Sequence, residues 1–409
     1  MLSEFPEGWT LNSLAKILQP SLFIDGDWVE SKDQSPDGDV RLIQLADIGD
    51  GHFIDKSDRH LTKDAAVRLK CTFLKKGDLL VARMPEPLGR CCVFPLDGEE
   101  RFVTVVDVAV MRPHDNFNSI WLMNLVNSCY ARKFIEDNAG GTTRKRISRK
   151  NLGGLLLPVP PLKEQHRIAE ILSSVDASIQ ATQAVIEQAE RVKRGLMEEL
   201  LTGGLGSEAI ERGEVPEGWD KKPLSDLLSK AYGGGTPSKS EPAYWGGDIY
   251  WASVKDMTDF NPLCTKDTIT QAGLDNSSSK IVPAGELIFC TRMAVGSTRR
   301  YQVDVAINQD LRTLIPSDSL RRDYLYYWLL SKRSEFEDES TGTTVKGLRQ
   351  ERLLAKKLLF PCLNEQKRIA EALSDSDDFI ARQKSIVEQQ NIIKRGLMDD
   401  LLTGKVRTV

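Results

Sequence analysis

The chain repeats itself at long range, and no other feature constrains its fold as much. Residues 164–204 and 365–405 align without gaps at an offset of 201, with 21 of 41 positions identical. Gly141-Thr142-Thr143 matches Gly342-Thr343-Thr344 at the same offset, as Pro160 matches Pro361. Pro6-Glu7-Gly8-Trp9 returns as Pro216-Glu217-Gly218-Trp219, 210 residues further on. Between these markers little aligns beyond Gly77-Asp78-Leu79-Leu80 against Gly285-Glu286-Leu287-Ile288. A period of about 20–50 residues builds a solenoid, whereas one this long means two whole domain units. Two similar units in one chain mimic a homodimer with an approximate twofold axis.

The repeated segments read as helices. Ile168, Leu172, Val175, Ile179, Thr182, Ile186, Ala189, Lys193, Leu196 and Leu200 step by alternating fours and threes. Ile369, Leu373, Ser376, Ile380, Gln383, Val387, Gln390, Lys394, Leu397 and Leu401 do the same. That spacing is a heptad seam. Val185, Val192, Ile392 and Ile393 widen the apolar face beyond a two-stranded seam. Prolines precede each segment and Thr-Gly follows it, the start and stop signals of a helix. Forty residues give a rod of roughly 60 Å. Two polar-interrupted seams in one chain are expected to bury each other, antiparallel if a twofold relates them. The competing expectation is that each helix packs on its own globular block.

The blocks between the helices, about 1–160 and 215–361, read as mixed α/β. Strand-like runs occur at 40–45, 79–82 and 102–109 in the first, and at 249–251, 287–290 and 301–306 in the second. Helical patterns follow at 118–137 and 320–338. Residues 205–214 read as a polar linker.

The net charge is −4, which argues against a non-specific nucleic-acid binder but leaves room for locally placed cations. Arg144, Lys145, Arg146, Arg149 and Lys150 put five cations in seven residues after Thr142 and Thr143. Lys346, Arg349 and Arg352 follow Thr343 and Thr344 in the second block. Hydroxyls, glycine amides and cations together suit phosphate oxygens. Arg83 and Arg90 in the first block, with Thr236, Lys239, Arg292, Arg299 and Arg300 in the second, complete the candidate DNA contacts, since arginine reads guanine bidentately. Tyr244, Trp245 and Trp251 read as core or loop anchors.

Catalytic signals fail. Gly233 to Ser240 misses the second glycine of a phosphate-binding loop, and Pro237 would spoil its backbone cradle. Asn261-Pro262-Leu263 lacks the remainder of an amino-methyltransferase motif. Glu365-Gln366-Lys367 has nuclease-like spacing but lies on the seam helix. Seven cysteines without a C-x-x-C pair, and four scattered histidines, point to no metal site and to a reducing cytoplasm. No run of about 18 apolar residues and no secretory leader is evident.

Two variable blocks, each closed by Glu-Gln-x-Arg-Ile-Ala-Glu, Lys-Arg-Gly-Leu-Met and Leu-Leu-Thr-Gly, strongly resemble the specificity subunit of type I restriction-modification enzymes. In the second block, Gly235-Thr236-Pro237, Tyr244 to Ile249 and Ile307-Asn308-Gln309-Asp310 look like a common type of target recognition domain. The first block lacks those phrases. The resemblance implies target recognition domains at 1–160 and 215–361, long helices at 161–204 and 362–405, and a linker at 205–214. The helices would form an antiparallel coiled coil that docks two modification subunits, with Ile168, Leu172, Ile179, Ile186, Leu196, Leu200, Ile369, Leu373, Ile380, Val387, Leu397 and Leu401 as its coiled-coil and partner interface. Those partners would bind S-adenosylmethionine and methylate adenine N6, and a translocase–nuclease subunit would join for cleavage. The chain itself would read a split, asymmetric sequence in double-stranded DNA, without catalysis, cofactor, metal or membrane. A rod of ~60 Å sets an upper limit near two turns of B-DNA between the readers. An assembly adaptor without its own DNA readout is the alternative from the residues; an autonomous enzyme is opposed by the missing motifs.

Overall fold

The computed structural model describes residues 6–84, 87–142, 144–206, 209, 212–340 and 347–408. They divide into two compact units. The first is residues 1–183 with 385–409, and the second is 184–384.

Each unit contains one globular block, and the two blocks share a strand order despite their unlike sequences. In the first block an antiparallel sheet runs Leu22–Asp25, Val108–Arg112, Leu79–Ala82, Cys91–Val93. In the second it runs Leu228–Gly233, Leu311–Pro316, Leu287–Cys290, Thr298–Arg300. A second sheet in each block is built on one parallel pair, Val40–Ile43 with Phe102–Thr104 and Trp245–Ala252 with Val305–Ile307. The later block adds one strand to it, Lys280–Val282. A two-stranded ribbon closes each block, Thr10–Ser13 with Leu156–Val159 and Asp220–Pro223 with Lys357–Phe360.

Several expected elements break where capping or turn chemistry wins. The run 102–109 is two strands joined by a turn. The run 301–306 places its strand late, at Val305–Ile307, with Thr298–Arg300 before it. The helical stretch 118–137 splits into Ser119–Val126 and Cys129–Asp137, because Ser128 caps the second piece by accepting from Ala131 N. The stretch 320–338 likewise splits at Lys332.

The long helices are continuous, Leu162–Thr202 and Leu363–Leu401. All twenty seam positions are buried or half-buried. The first helix starts on its own block, where Ile168, Ala169 and Leu172 join the core with Trp121 and Leu152. Leu401 and Leu402, from the end of the other helix, complete that core. The second unit repeats this with Ile369, Ala370 and Leu373 beside Leu201, and with Leu196, Met197 and Leu200 packed against them. Both expectations for the helices therefore hold at once, seam on seam and seam on block. Within each unit the two helix halves run antiparallel. Asp176 pairs with Lys394 at 2.6 Å and Ser178 with Gln390 at 2.8 Å in the first unit. Glu190 pairs with Lys384 at 2.8 Å in the second, and Lys193 with Asp377. The lysines that interrupt the seams are thus matched by carboxylates.

The repeated Pro-Glu-Gly-Trp and Leu-Leu-Thr-Gly phrases meet. Gly404 (φ +77°) ends the second helix against Pro6 and Trp9, and a Cβ there would sit 2.7 Å from Pro6. Gly203 (φ +62°) ends the first against Pro216 and Trp219, where a Cβ would sit 2.6 Å from Pro216. Glycine is required at both by conformation and by space. Gln165 and Gln366 are buried and seat each helix start. They donate to Pro160 O at 3.0 Å and Pro361 O at 2.9 Å, and accept from Asn118 N and Arg321 N. Glu365-Gln366-Lys367 is therefore a helix-seating motif.

Candidate nucleic-acid interface

The second block carries an open cleft of about 810 Å³. Its floor comes from two phrases some 70 residues apart in the chain. Gly234 N donates to Asn308 O at 3.3 Å and Gly235 N to Ile307 O at 3.1 Å. A Cβ on Gly234 would fall 1.8 Å from Ile307 O, so only glycine lets the strands approach. This segment is pinned to a strand, which engages the Gly234 and Gly235 amides. Trp251, 4% exposed, donates its indole N–H to Gly235 O and Ser279 Oγ, both 3.2 Å away. Trp245 stacks edge-on against it at 5.1 Å, and both of these expected anchors line the cleft.

The cleft wall is polar. Thr236 donates to Gln309 Oε1 at 2.5 Å, which fixes the Gln309 amide. Asn308 Nδ2 donates to Asp310 at 3.1 Å, and Arg292 lies 3.7 Å from the same carboxylate. Lys255 pairs with Asp267 at 2.9 Å. Lys239 is exposed at the lining and has no ion pair among the described residues. Thr236, Lys239 and Arg292 are thus brought together. Arg299 and Arg300 are not. Arg299 lies over Phe260 and donates to Met257 O at 2.8 Å, and Arg300 pairs with Asp323 over Tyr326.

The first block holds its cations differently. Arg83, expected among the base readers, is 2% exposed. It pairs with Asp25 at 3.0 Å and donates to Val106 O, and burial pulls its pKa down against the pull of Asp25. It braces the sheet from inside. Arg146 pairs with Asp107 at 3.1 Å, and Arg149 stands near Asp25 over Phe23. Arg90 is half-buried. Gly140 and Arg146 exchange backbone hydrogen bonds at 2.9 Å, closing a hairpin that carries exposed Thr142, Arg144 and Lys145. Thr143, Thr343, Thr344 and Lys346 lie outside the described residues.

The two blocks nonetheless hold this loop in one frame. Ile147 N donates to Arg83 O, and Leu348 N to Thr291 O. Arg83 N in turn donates to Asp107 O, and Thr291 N to Asp310 O. Asp107 and Asp310 therefore occupy the same place, each with an arginine near its carboxylate. A second matched pair escaped sequence reasoning. Buried Asp47 accepts from Gln44 N at 2.8 Å and Lys56 N at 2.7 Å, and buried Asp256 from Ser253 N and Lys266 N, both at 2.8 Å. Burial pushes the Asp47 carboxyl up, but these amides and Ser57 hold it below the ordinary carboxylate value. The available signal was an aspartate four residues beyond a strand in both blocks. Lys255 and Met293 were also missed as cleft residues. Among the described residues no group of three or more His, Cys, Asp or Glu could hold a metal, and no helix is long and apolar enough to cross a membrane.

Along the helices, Ile168, Leu172, Ile179, Ile369, Leu373, Ile380 and Leu401 are buried, and Ile186, Leu196, Leu200, Val387 and Leu397 are half-buried. Their apolar neighbours face outward. Val185, Val192 and Phe379 border a groove of about 650 Å³ in the second unit. Ile386, Ile392 and Ile393 are exposed in the first.

Residues 6–191 and 216–389 each match the family described as "Type I restriction modification DNA specificity domain". Two relatives come from Methanocaldococcus jannaschii. The type I restriction enzyme MjaIX specificity subunit is 32% identical over 188 residues, 45% of this chain and 43% of that protein. The putative MjaX specificity subunit is 25% identical over 99% of this chain and 95% of its own. The EcoR124I/EcoR124II specificity subunit of Escherichia coli is 29% identical over 58% and 59%. Among solved structures, a chain from work on complex assembly and conformational transition of the type I R-M system superposes with a TM-score of 0.63 at 20% identity, covering 98% of this chain and all of that one. The S subunit of the type I system of M. genitalium gives 0.56 at 13% identity, covering 96% of each chain. At these identities the superpositions speak for the fold.

Proposed function

The chain belongs to the type I restriction-modification DNA specificity family, and from that premise we propose that it is the DNA-reading, non-catalytic subunit of a methyltransferase complex. The observation that carries this reading is the matched frame beneath unmatched surfaces. Both blocks fix a loop to the same strand end, over Asp107 in one and Asp310 in the other. The described surfaces of the blocks differ, a basic hairpin in one and a Trp-, Lys- and Gln-lined cleft in the other. A constant scaffold with divergent faces suits two unlike half-sites, and so an asymmetric split target.

The division of labour follows from the chemistry. Thr142, Arg144 and Lys145 on the hairpin suit phosphates, which set position and salt dependence. Gln309, Lys239 and Asp310 supply donors and acceptors suited to base edges. We take the recognition domains as 1–160 and 215–361. The exposed valines, isoleucines and Phe379 along the helices are the surfaces on which modification subunits would dock. Those subunits would supply S-adenosylmethionine and the methyl transfer, and a translocase–nuclease subunit would join the same assembly.

Single-molecule methylation mapping of a host genome with and without this gene tests the reading. Loss of N6-methyladenine at one split, asymmetric motif is the expected result. An unchanged methylome in a cell that expresses the modification subunit overturns it.

A further inference from the structure

Met293 sits at the cleft of the second block in a backbone conformation that costs energy. Its φ is +62°, and Ala294 N donates back to Arg292 O at 2.7 Å, a γ-turn with Met293 at its centre. Such turns are rare and strained. The side chain is 70% exposed and lines the cleft. Either feature alone would pass without comment. Single exposed hydrophobes are common on protein surfaces, and positive φ is ordinarily met by glycine or asparagine. Met293 combines both, and it is the only apolar residue among the described non-glycine residues with positive φ.

The surroundings leave the turn little freedom. Gly296 N donates to Cys290 O at 3.0 Å, Cys290 Sγ donates to Arg292 O at 3.0 Å, and Arg292 bridges to Gly347. Val295, two residues on, is 2% exposed and anchored in the core. The loop is held from both sides while one flexible thioether chain is pushed out. Backbone strain over-determined in this way concentrates at functional sites.

We propose that Met293 is a specificity-determining residue, an apolar probe that touches base rather than phosphate in the DNA half-site read by the second block. This rests on the DNA-reading assignment above. An unbranched, polarisable side chain suits a thymine methyl or an opened base step. Being uncharged, it adds specificity without adding salt dependence.

The test uses the full chain assembled with its modification subunits, carrying Met293→Ala or Met293→Gly. Both variants should lose about tenfold or more in affinity for the specific duplex, with non-specific affinity and the salt slope unchanged. The methylation motif should relax at one position of one half-site. Met293→Gly should also raise the melting temperature by about 2 °C through relief of the strained turn, while Met293→Ala should not. Loss of binding together with a gain in stability separates a reader from a folding residue. Unchanged affinity and motif in both variants overturn the inference about Met293. If the unmodified complex shows no split-motif preference, the DNA-reading assignment itself fails, and Met293 with it.

Discussion

Replacing Glu164 by alanine tests whether one carboxylate clamps the start of the first long helix. Its side chain is 3% exposed and accepts from Trp9 Nε1 at 3.0 Å, Arg407 Nε at 2.8 Å and Arg407 Nη2 at 3.0 Å. Alanine leaves the buried Trp9 indole N–H without an acceptor, a cost of about 1–3 kcal/mol. The Arg407 side chain is 29% exposed and can turn to water, so its pairing is discounted to about 1 kcal/mol. The sum is about 2–4 kcal/mol. For a unit of this size that lowers the melting temperature by roughly 5–15 °C. Glu164→Gln keeps an acceptor for Trp9 and should lose about 1–2 kcal/mol. Urea unfolding of the intact chain followed by tryptophan fluorescence gives the loss, and hydrogen exchange assigns it to the first unit. A double-mutant cycle with Arg407→Ala should show coupling of about 1 kcal/mol. Additive losses, with Glu164→Gln as damaging as Glu164→Ala, would refute the clamp.

Three further outcomes follow from the same geometry. Reversing Arg144, Lys145 and Arg146 to glutamate should weaken DNA binding across all sequences and reduce the salt slope by about 2–3, read by titration at several salt concentrations; an unchanged slope removes the hairpin as a phosphate site. Ile179→Asp and Ile380→Asp each place a carboxylate at a position 7% exposed. Each should destabilise its own unit by about 3 kcal/mol or more and weaken co-purification with modification subunits; normal assembly would show that the seam is misassigned. Asp47 and Glu164 are each pushed up by burial but pulled lower by their hydrogen-bond donors, to a net value below the ordinary carboxylate range. Their contribution is therefore complete above about pH 4, the unfolded carboxylate value, and fades as pH falls through the lower folded values. Acid unfolding should show a loss in that window, of which Asp47→Asn removes the Asp47 share; an unaltered acid limb would sink this account.

The helices were legible in the sequence because a heptad seam is periodic and the repeat displayed it twice. Even the interrupting Lys193 and Lys394 kept their places on the seam, although their partners Asp377 and Asp176 could not be read from spacing. The blocks were less legible. Leu79–Ala82 and Leu287–Cys290 are buried at every position, so no alternation marks which face they present or which strands flank them. The common strand order emerges only from pairings between distant segments. Arg83 shows the same limit at the site. A lone arginine after a strand looks like a surface cation until Asp25, nearly sixty residues earlier, is folded against it. The cleft could be read only as separate phrases, because what joins Thr236 to Gln309 is the approach of Gly234 to Ile307. Met293 gave no sequence signal, since its backbone angle belongs to the turn.

The first unit is assembled from two separate stretches of chain, with the second unit encoded between them. The first needs Leu401, Leu402 and Arg407 to finish its core and clamp, and 201 residues separate Gln183 from Ser385. On the ribosome, at about 5–20 residues per second, that gap lasts roughly 10–40 s. Through that interval the core around Ile168 and Leu172 lacks Leu401 and Leu402 and is closed only by its own block. A frameshift or stop codon in the final helix would therefore damage the domain encoded first in the gene.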